Sequence, residues 1–194
     1  MKAFYIHGLG SGANGTSGPR LAKKFPQYEW IYPEFSEDMQ ESIIKLNQLI
    51  DRNKPALIVG TSMGGLYTMF AKPFDGIKIA YNPGLDIVNI LRNDIGFGTY
   101  KYFSPRKDKK THYTVDEKLV KKFEKYLSSH SIEKAGRCIA IFGTGDEVVS
   151  VETRQKNVAQ ATGAGYEVYE LPNAGHRMTA ESVEFIQGLL RAES

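Results

Sequence analysis

The chain has 194 residues, 41% of them hydrophobic and 24% charged, and its 11 Tyr and 10 Phe exclude an intrinsically disordered protein. A net charge of +3 is too small to indicate a nucleic-acid partner, and no apolar run approaches the roughly 20 residues of a membrane helix. Cys138 is the only cysteine, which excludes an internal disulfide and a multi-cysteine zinc site. No signal-peptide pattern follows Met1, and together these two features lead us to expect a protein of the reducing cytoplasm.

Short apolar runs bounded by Gly, Pro and Asn predict six β-strands. In chain order they cover residues 2–7, 29–35, 56–59, 77–81, 138–142 and 166–171. The segments between them predict helices over residues 19–25, 36–52, 66–71 and 150–162, and from residue 179 towards the end of the chain. The predicted N-caps are Ser36, Ser150 and Thr179.

The alternation of strand and helix predicts an α/β fold in a single domain over residues 1–194. Its sheet would be mostly parallel, with six or seven strands and helices on both faces. Residues 85–137 are the exception: they lack a strand signal and predict a helical cap, with its clearest helix over 115–128. Residues 101–137 hold 11 Lys and Arg against 5 Asp and Glu, which indicates either a solvated helix face or a surface that attracts anionic substrates.

The strongest functional signal is the sequence Gly60-Thr61-Ser62-Met63-Gly64, where a buried strand gives way to a helix. On such a sharp turn the serine hydroxyl stands above the sheet. Glycines two before and two after it are needed because the strand and helix backbones crowd the turn. This context favours a nucleophile elbow over an ordinary glycine turn, so Ser62 is the candidate nucleophile.

A serine hydroxyl is a poor nucleophile unless a base takes its proton. His176 lies in the loop before the last helix, at the sheet edge expected for Ser62, and is the candidate base. Asp146, at the end of the fifth strand, is the candidate acid that would orient the imidazole, with Glu147 as its nearby alternative. The chain order Ser62, Asp146, His176 is the one expected of the α/β-hydrolase arrangement.

An oxyanion also needs backbone donors. The loop after the first strand is where the α/β-hydrolase fold keeps one of them, so the N–H groups of Leu9 and Met63 are the candidates. Gly8 would let the chain approach the substrate closely. His7 precedes the turn, where its ring is better placed to brace the loop than to move protons.

One competing motif is the glycine run Gly10–Gly15, which matches the dinucleotide fingerprint, with Glu34 about twenty residues further on. That fingerprint requires a helix to begin within the glycine run, so that its N-terminus faces the pyrophosphate. Gly18 and Pro19 delay the predicted helix to about residue 19, and the match is therefore interpreted as accidental.

The sequence resembles the short bacterial α/β-hydrolases of the YqiA/YcfP type. The resemblance rests on segments spread over nearly the whole chain: Phe4–Gly8, Gly60–Gly65, Tyr81–Pro83, Thr144–Val148 and Gly175–His176. It implies a cytoplasmic single-domain hydrolase or esterase with an open six- or seven-stranded sheet. It also supports Ser62 as nucleophile, Asp146 as acid and His176 as base. The sequence departs from the family in residues 9–18, which are richer in glycine than expected.

These features predict a serine hydrolase that cleaves carboxylic esters or thioesters through an acyl-enzyme, without a metal or an organic cofactor. The substrate would be a small acyl ester or thioester, contacted by Gly8, Phe97 and Tyr102, while the oligomeric state is left open. An aromatic, basic flap that includes residues 106–110 would favour anionic substrates. The alternatives are a catalytically silent binding or scaffold protein of the same fold and, less favoured, a nucleotide-binding oxidoreductase.

Overall fold

The structure is a computed structural model that describes residues 1–191, so that residues 192–194 of the predicted domain lie outside it. The strands are β1 (Lys2–Ile6), β2 (Glu29–Ile31), β3 (Leu57–Thr61), β4 (Ile77–Tyr81), β5 (Gly98–Lys101), β6 (His112–Val115), β7 (Arg137–Gly143) and β8 (Glu167–Leu171). Six of them form one sheet in the order β2-β1-β3-β4-β7-β8, in which all neighbours are parallel. The predicted parallel sheet is confirmed, with six strands.

The α-helices are α1 (Ser17–Lys24), α2 (Met39–Asn53), α3 (Met63–Phe70), α4 (Ile87–Asn89), α5 (Glu117–Leu127), α6 (Val151–Gly163) and α7 (Ala180–Arg191), and a π-helical segment, Ile90–Ile95, follows α4. Ser150 caps α6 as predicted, by accepting a hydrogen bond from the Thr153 N–H. The N-cap prediction for α2 is wrong, because Asp38 accepts the Glu41 N–H there in place of Ser36.

Helices cover both faces of the sheet, as predicted. Successive side chains of a strand point to opposite faces, so Leu57 and Val59 of β3 pack with α1 and α7. Ile58, between them, packs with α2, α3, α5 and α6 on the other face. Because the middle of the sheet is buried on both sides, its four central strands β1, β3, β4 and β7 are mostly apolar.

The insertion between β4 and β7 is helical at both ends, but its middle contains a hairpin that the sequence did not predict. Strands β5 and β6 pair antiparallel, with Gly98 opposite Val115 and Lys101 opposite His112. The predicted helix over 115–128 therefore begins later, at Glu117, because Val115 belongs to the hairpin. Helix α5 packs against α2 in the layer that covers the sheet, so the part that can cover the site is residues 86–116.

The carboxyl ends of the parallel strands meet at one edge of the sheet, where α/β proteins bind their ligands. The loops after β1, β3, β7 and β8 bring Gly8, Ser62, Asp146 and His176 to this edge. Among residues 1–191, no helix is long and apolar enough to cross a membrane.

Candidate active site

Ser62 lies on a strained turn between β3 and α3. Its backbone has φ 55° and ψ −121°, a conformation that non-glycine residues adopt only where the surrounding structure holds them in it. The turn needs glycine on both sides: a Cβ on Gly60 would lie 2.2 Å from the Gly64 carbonyl oxygen, and one on Gly64 would lie 2.3 Å from the Ile6 oxygen. The predicted strand–turn–helix is therefore present, with the helix beginning at Met63, earlier than predicted.

His176 and Asp146 form a hydrogen-bonded pair. The distance from His176 Nδ1 to Asp146 Oδ2 is 2.7 Å, and the two side chains are 15% and 2% exposed. Burial acts to raise the pKa of Asp146, but the hydrogen bond with His176 and those from the Val148 and Val149 amides outweigh it. The pKa therefore lies below its usual value. An ionised Asp146 fixes the Nδ1–H tautomer, which leaves the lone pair on Nε2 available as a base.

Glu147, the alternative acid, has a different contact. Its Oε2 accepts a hydrogen bond from the backbone N–H of His176 at 2.9 Å. Glu147 therefore holds the loop of His176, whereas Asp146 bonds the imidazole.

Asn82, which the sequence analysis did not assign to the site, ties the same loop to the sheet. Its Nδ2 donates to the carbonyl oxygens of Gly175 and His176 at 3.0 and 3.2 Å, and its Oδ1 accepts from the Gly143 N–H at 2.7 Å. Tyr81 adds a bond from its hydroxyl to the Gly175 oxygen at 3.0 Å. The position of Asn82, directly after β4 at the carboxyl edge, is the sequence signal that could have identified it.

The two amides predicted as oxyanion donors are both free of backbone or side-chain acceptors within the described part of the chain. Met63 is the first residue of α3, where a helix leaves its N–H groups unpaired. Leu9 follows Gly8, whose Cβ, if it had one, would lie 3.0 Å from the Cβ of Ser62. The loop after β1 therefore lies directly against the turn that carries Ser62.

His7 is buried and both of its ring nitrogens have partners. Nδ1 lies 3.0 Å from the carbonyl oxygen of Gly8, while Nε2 lies 2.9 Å from Glu34 Oε1 and 3.1 Å from the Phe35 nitrogen. These contacts fit the bracing role expected for His7. They also occupy Glu34, which the dinucleotide interpretation would need for a ribose. Helix α1 begins only at Ser17, after the glycine run.

Ser62 and His176 border two cavities. The narrower one is mainly apolar: its lining includes Met63, Ile87, Ile90, Ile95 and Phe142, together with the polar side chains of Asn82, Asp146, Arg154 and Asn157. The wider one, about 390 Å³, extends along the glycine-rich loop and under the hairpin. Within residues 1–191, Ser62 Oγ makes no hydrogen bond with the imidazole. Such contacts often form only once substrate is bound.

Two of the residues predicted to contact substrate lie elsewhere. Tyr102 is buried, its hydroxyl donates to Glu37, and Arg106 stacks on its ring with Cζ 4.5 Å from the centroid. Phe97 is 54% exposed and lines neither cavity that Ser62 borders. The aromatic residues that do line the wider cavity are Tyr100, Phe103 and Tyr113. Tyr100 and Tyr113 are paired residues on one face of the hairpin, with ring centroids 5.6 Å apart.

The basic segment of residues 106–110 does not form a surface over the site either. Arg106 is buried and donates to the carbonyl oxygens of Ser11 and Phe35 at 3.0 and 2.9 Å. It also forms ion pairs with Glu34 and Asp108 at 3.1 and 2.8 Å. Arg106 therefore fastens the hairpin to the first loop. The described residues contain no cluster of His, Cys, Asp and Glu that could hold a metal ion.

A sequence model of the Uncharacterised protein family (UPF0227) matches residues 2–172. No curated protein sequence matches the chain.

Several solved structures are similar to it over nearly their whole length. Alpha/beta hydrolase domain-containing protein 10 from mouse aligns over 100% of this chain and 90% of its own, with 16% identity and a TM-score of 0.67. Est1E from Butyrivibrio proteoclasticus, solved with ferulic acid, aligns over 98% and 88%, with 15% identity and a TM-score of 0.62. SOBER1 from Arabidopsis thaliana aligns over 99% and 98%, with 15% identity and a TM-score of 0.60. At these identities the likeness shows the fold, which is that of the α/β hydrolases.

Proposed function

The chain belongs to the Uncharacterised protein family (UPF0227), the YqiA/YcfP-like family that its motifs resemble. From the geometry of its site, we propose that it is a serine hydrolase that cleaves carboxylic esters or thioesters. The observation that carries the proposal is the combination of Ser62 on a strained turn with the Asp146–His176 pair beside the same cavities. Three groups that act together in acyl transfer meet at one sheet edge in the expected chain order.

The reaction has two halves. Nε2 of His176 takes the Ser62 proton while Oγ attacks the acyl carbon, and the amides of Leu9 and Met63 hold the negative oxygen of the tetrahedral intermediate. The bond to the leaving group then breaks, and His176 gives its proton to the departing oxygen or sulfur. A water molecule, deprotonated by His176, attacks the acyl-enzyme; the bond to Ser62 Oγ then breaks, His176 returns the proton to Oγ, and the carboxylic acid is released.

The two cavities suggest how a substrate would lie. The narrower cavity, about 20 Å³ with mainly apolar walls, suits a short hydrocarbon acyl group, and the wider, more polar cavity suits the leaving group. The substrate is thus a small molecule.

Cys138, a buried free thiol, remains compatible with the cytoplasmic location that we propose.

The proposal is tested by covalent labelling. A fluorophosphonate reacts with an activated serine beside an oxyanion hole, so we expect one adduct, on Ser62, that is absent in Ser62→Ala. Ser104 lines the same wider cavity without the strained turn, so Ser104→Ala is the matched control and should label normally. A panel of acyl esters and thioesters then identifies the substrate class.

Labelling that persists in Ser62→Ala contradicts the assignment of the nucleophile. A protein that neither labels nor hydrolyses any member of the panel supports the silent binding or scaffold protein instead.

A further inference from the structure

The wider cavity is lined by many polar side chains but by very few charged ones. Apart from His176 and Arg177, the polar side chains that line it carry hydroxyl or amide groups, as in Ser11, Asn14 and Ser104. Among the described residues that line it there is no carboxylate, and apart from His176 the only basic side chain is Arg177. We propose that this cavity binds a leaving group bearing a carboxylate or phosphate, and that Arg177 determines this specificity. The inference rests on the proposed hydrolase function.

Arg177 is available to bind an anion. Its Cζ lies 5.1 Å from the centroid of the Phe103 ring, and in the part of the chain that is described it makes no ion pair or hydrogen bond through its side chain. A guanidinium stacked on an aromatic ring keeps its in-plane N–H donors free. The Phe103 side chain is 69% exposed, and its backbone is anchored to the first loop because the Phe103 N–H donates to the Gly10 oxygen at 2.7 Å.

The cations of residues 106–110 cannot bind an anion in the wider cavity. The Arg106 guanidinium is occupied by carboxylates and carbonyls, and the ammonium group of Lys107 donates to the Tyr32 oxygen at 3.0 Å. Lys109 and Lys110 are exposed but line neither cavity that Ser62 borders. Arg154 lines the narrower cavity, but its guanidinium forms an ion pair with Glu170. Among the described residues that line either cavity, Arg177 is therefore the cation left without an acidic partner.

The position of Arg177 assigns the anion to the leaving group. It follows His176, the residue that gives a proton to the departing atom, and it borders only the wider cavity. The narrower cavity on the other side is mainly apolar and its one arginine, Arg154, is paired with Glu170, so this side does not favour an anion. Carboxylates and phosphates are the anions that a guanidinium binds through paired hydrogen bonds.

The test compares esters that share an acyl group and differ in the charge of the leaving group. The probes are the butyryl esters of 3-hydroxybenzoate, 3-hydroxyphenyl phosphate and, as the neutral reference, 3-hydroxybenzamide. The measured quantity is the ratio of kcat/KM for an anionic ester to that for the neutral ester. Damage to His176 lowers both rates alike and cancels in this ratio.

We expect Arg177→Gln to lower the ratio by about tenfold, mainly through KM, and Arg177→Lys to keep part of it. The wild-type ratio should fall as salt rises from about 0.05 to about 0.5 M, because exposed charges are screened. Arg52→Gln, the same change at an exposed residue of α2, should leave the ratio as it is. The anionic ester with the larger ratio identifies the anion as carboxylate or phosphate.

A ratio that stays within about twofold in Arg177→Gln overturns the proposal. If the wild type hydrolyses none of the esters, the proposed function fails, and the specificity is tested separately by calorimetry. Wild type would then bind 3-hydroxybenzoate more tightly than 3-hydroxybenzamide, and Arg177→Gln would not; equal affinities in the wild type overturn the inference.

Discussion

Asn82 holds the carbonyl oxygen of His176 through a hydrogen bond of 3.2 Å from its side-chain amide. The other end of the same amide accepts the Gly143 N–H, at the end of the strand that leads to Asp146. One buried side chain thus connects the loop of the candidate base to the strand of the candidate acid. Its backbone has φ 44°, a left-handed conformation that asparagine adopts more readily than most residues.

We predict that Asn82→Gly lowers kcat about 10- to 100-fold with little change in KM, because a displaced His176 meets Ser62 in the wrong geometry. Glycine keeps the left-handed backbone, so this substitution removes the hydrogen bonds without adding strain. Steady-state kinetics and the rate of fluorophosphonate labelling measure the effect. Asn82→Asp keeps the oxygen that accepts the Gly143 N–H but lacks the amide donor, so it should lower kcat by a similar factor. A folded Asn82→Gly variant with wild-type kcat would show that the loop needs no such support.

The two neighbouring carboxylates offer a matched pair of substitutions. Asp146→Asn should lower kcat by about 10³–10⁴-fold, because an amide in contact with Nδ1 favours the wrong imidazole tautomer. Glu147→Gln keeps an oxygen that can accept the His176 N–H, so it should lower kcat only a few-fold. The comparison is made by steady-state kinetics at one pH. A larger loss in Glu147→Gln than in Asp146→Asn would assign the acid to Glu147.

Much of the fold and the positions of the three candidate catalytic residues could be predicted from local patterns. A buried parallel strand is a short apolar run with a turn after it, and both signals lie within a few residues of each other. Because all such strands end at the same edge, Ser62, Asp146 and His176 could be brought together without knowing any distance.

The insertion could not be predicted in this way, because its structure depends on partners far along the chain. Arg106 resembles its lysine neighbours in sequence, yet it is buried against Glu34 and Ser11, more than seventy residues away. The four-residue strands β5 and β6 are too short to give a clear alternation. The substrate prediction for Tyr102 fails for the same reason, because its hydroxyl donates to Glu37, 65 residues earlier in the chain.

Arg106 should therefore matter for stability. Arg106→Gln leaves Glu34, only 10% exposed, without its guanidinium partner, and we expect the free energy of unfolding to fall by about 3–5 kcal/mol. Lys110→Gln removes the same charge from an exposed position in the same loop and should change it by less than about 0.5 kcal/mol. Urea unfolding of the two variants and the wild type measures both. Equal, small effects would mean that the buried ion pairs contribute little.

Lys78 should make the free energy of unfolding depend on pH in the alkaline range. It lies fully buried in β4, paired with Cys138 of β7, and its Nζ donates to the Ala71 oxygen at 2.5 Å. Burial lowers the pKa of Lys78 from 10.5 to about 8. Below pH 8 the amine is charged in both the folded and the unfolded chain, and the folded chain bears the cost of burying that charge.

Between pH 8 and 10.5 the folded protein has released the Lys78 proton while the unfolded chain still holds it, so the contribution of Lys78 to stability rises with pH. Lys78→Met fills a similar volume without a charge and lacks this dependence. We expect the free energy of unfolding of the wild type, relative to Lys78→Met, to increase by about 1 kcal/mol per pH unit over this window. Urea unfolding of both proteins at several pH values measures the difference, in which the titrating groups that do not interact with Lys78 cancel. A difference that stays constant across the window would mean that the pKa of Lys78 is close to its ordinary value and that its charge is stabilised by more than the Ala71 carbonyl.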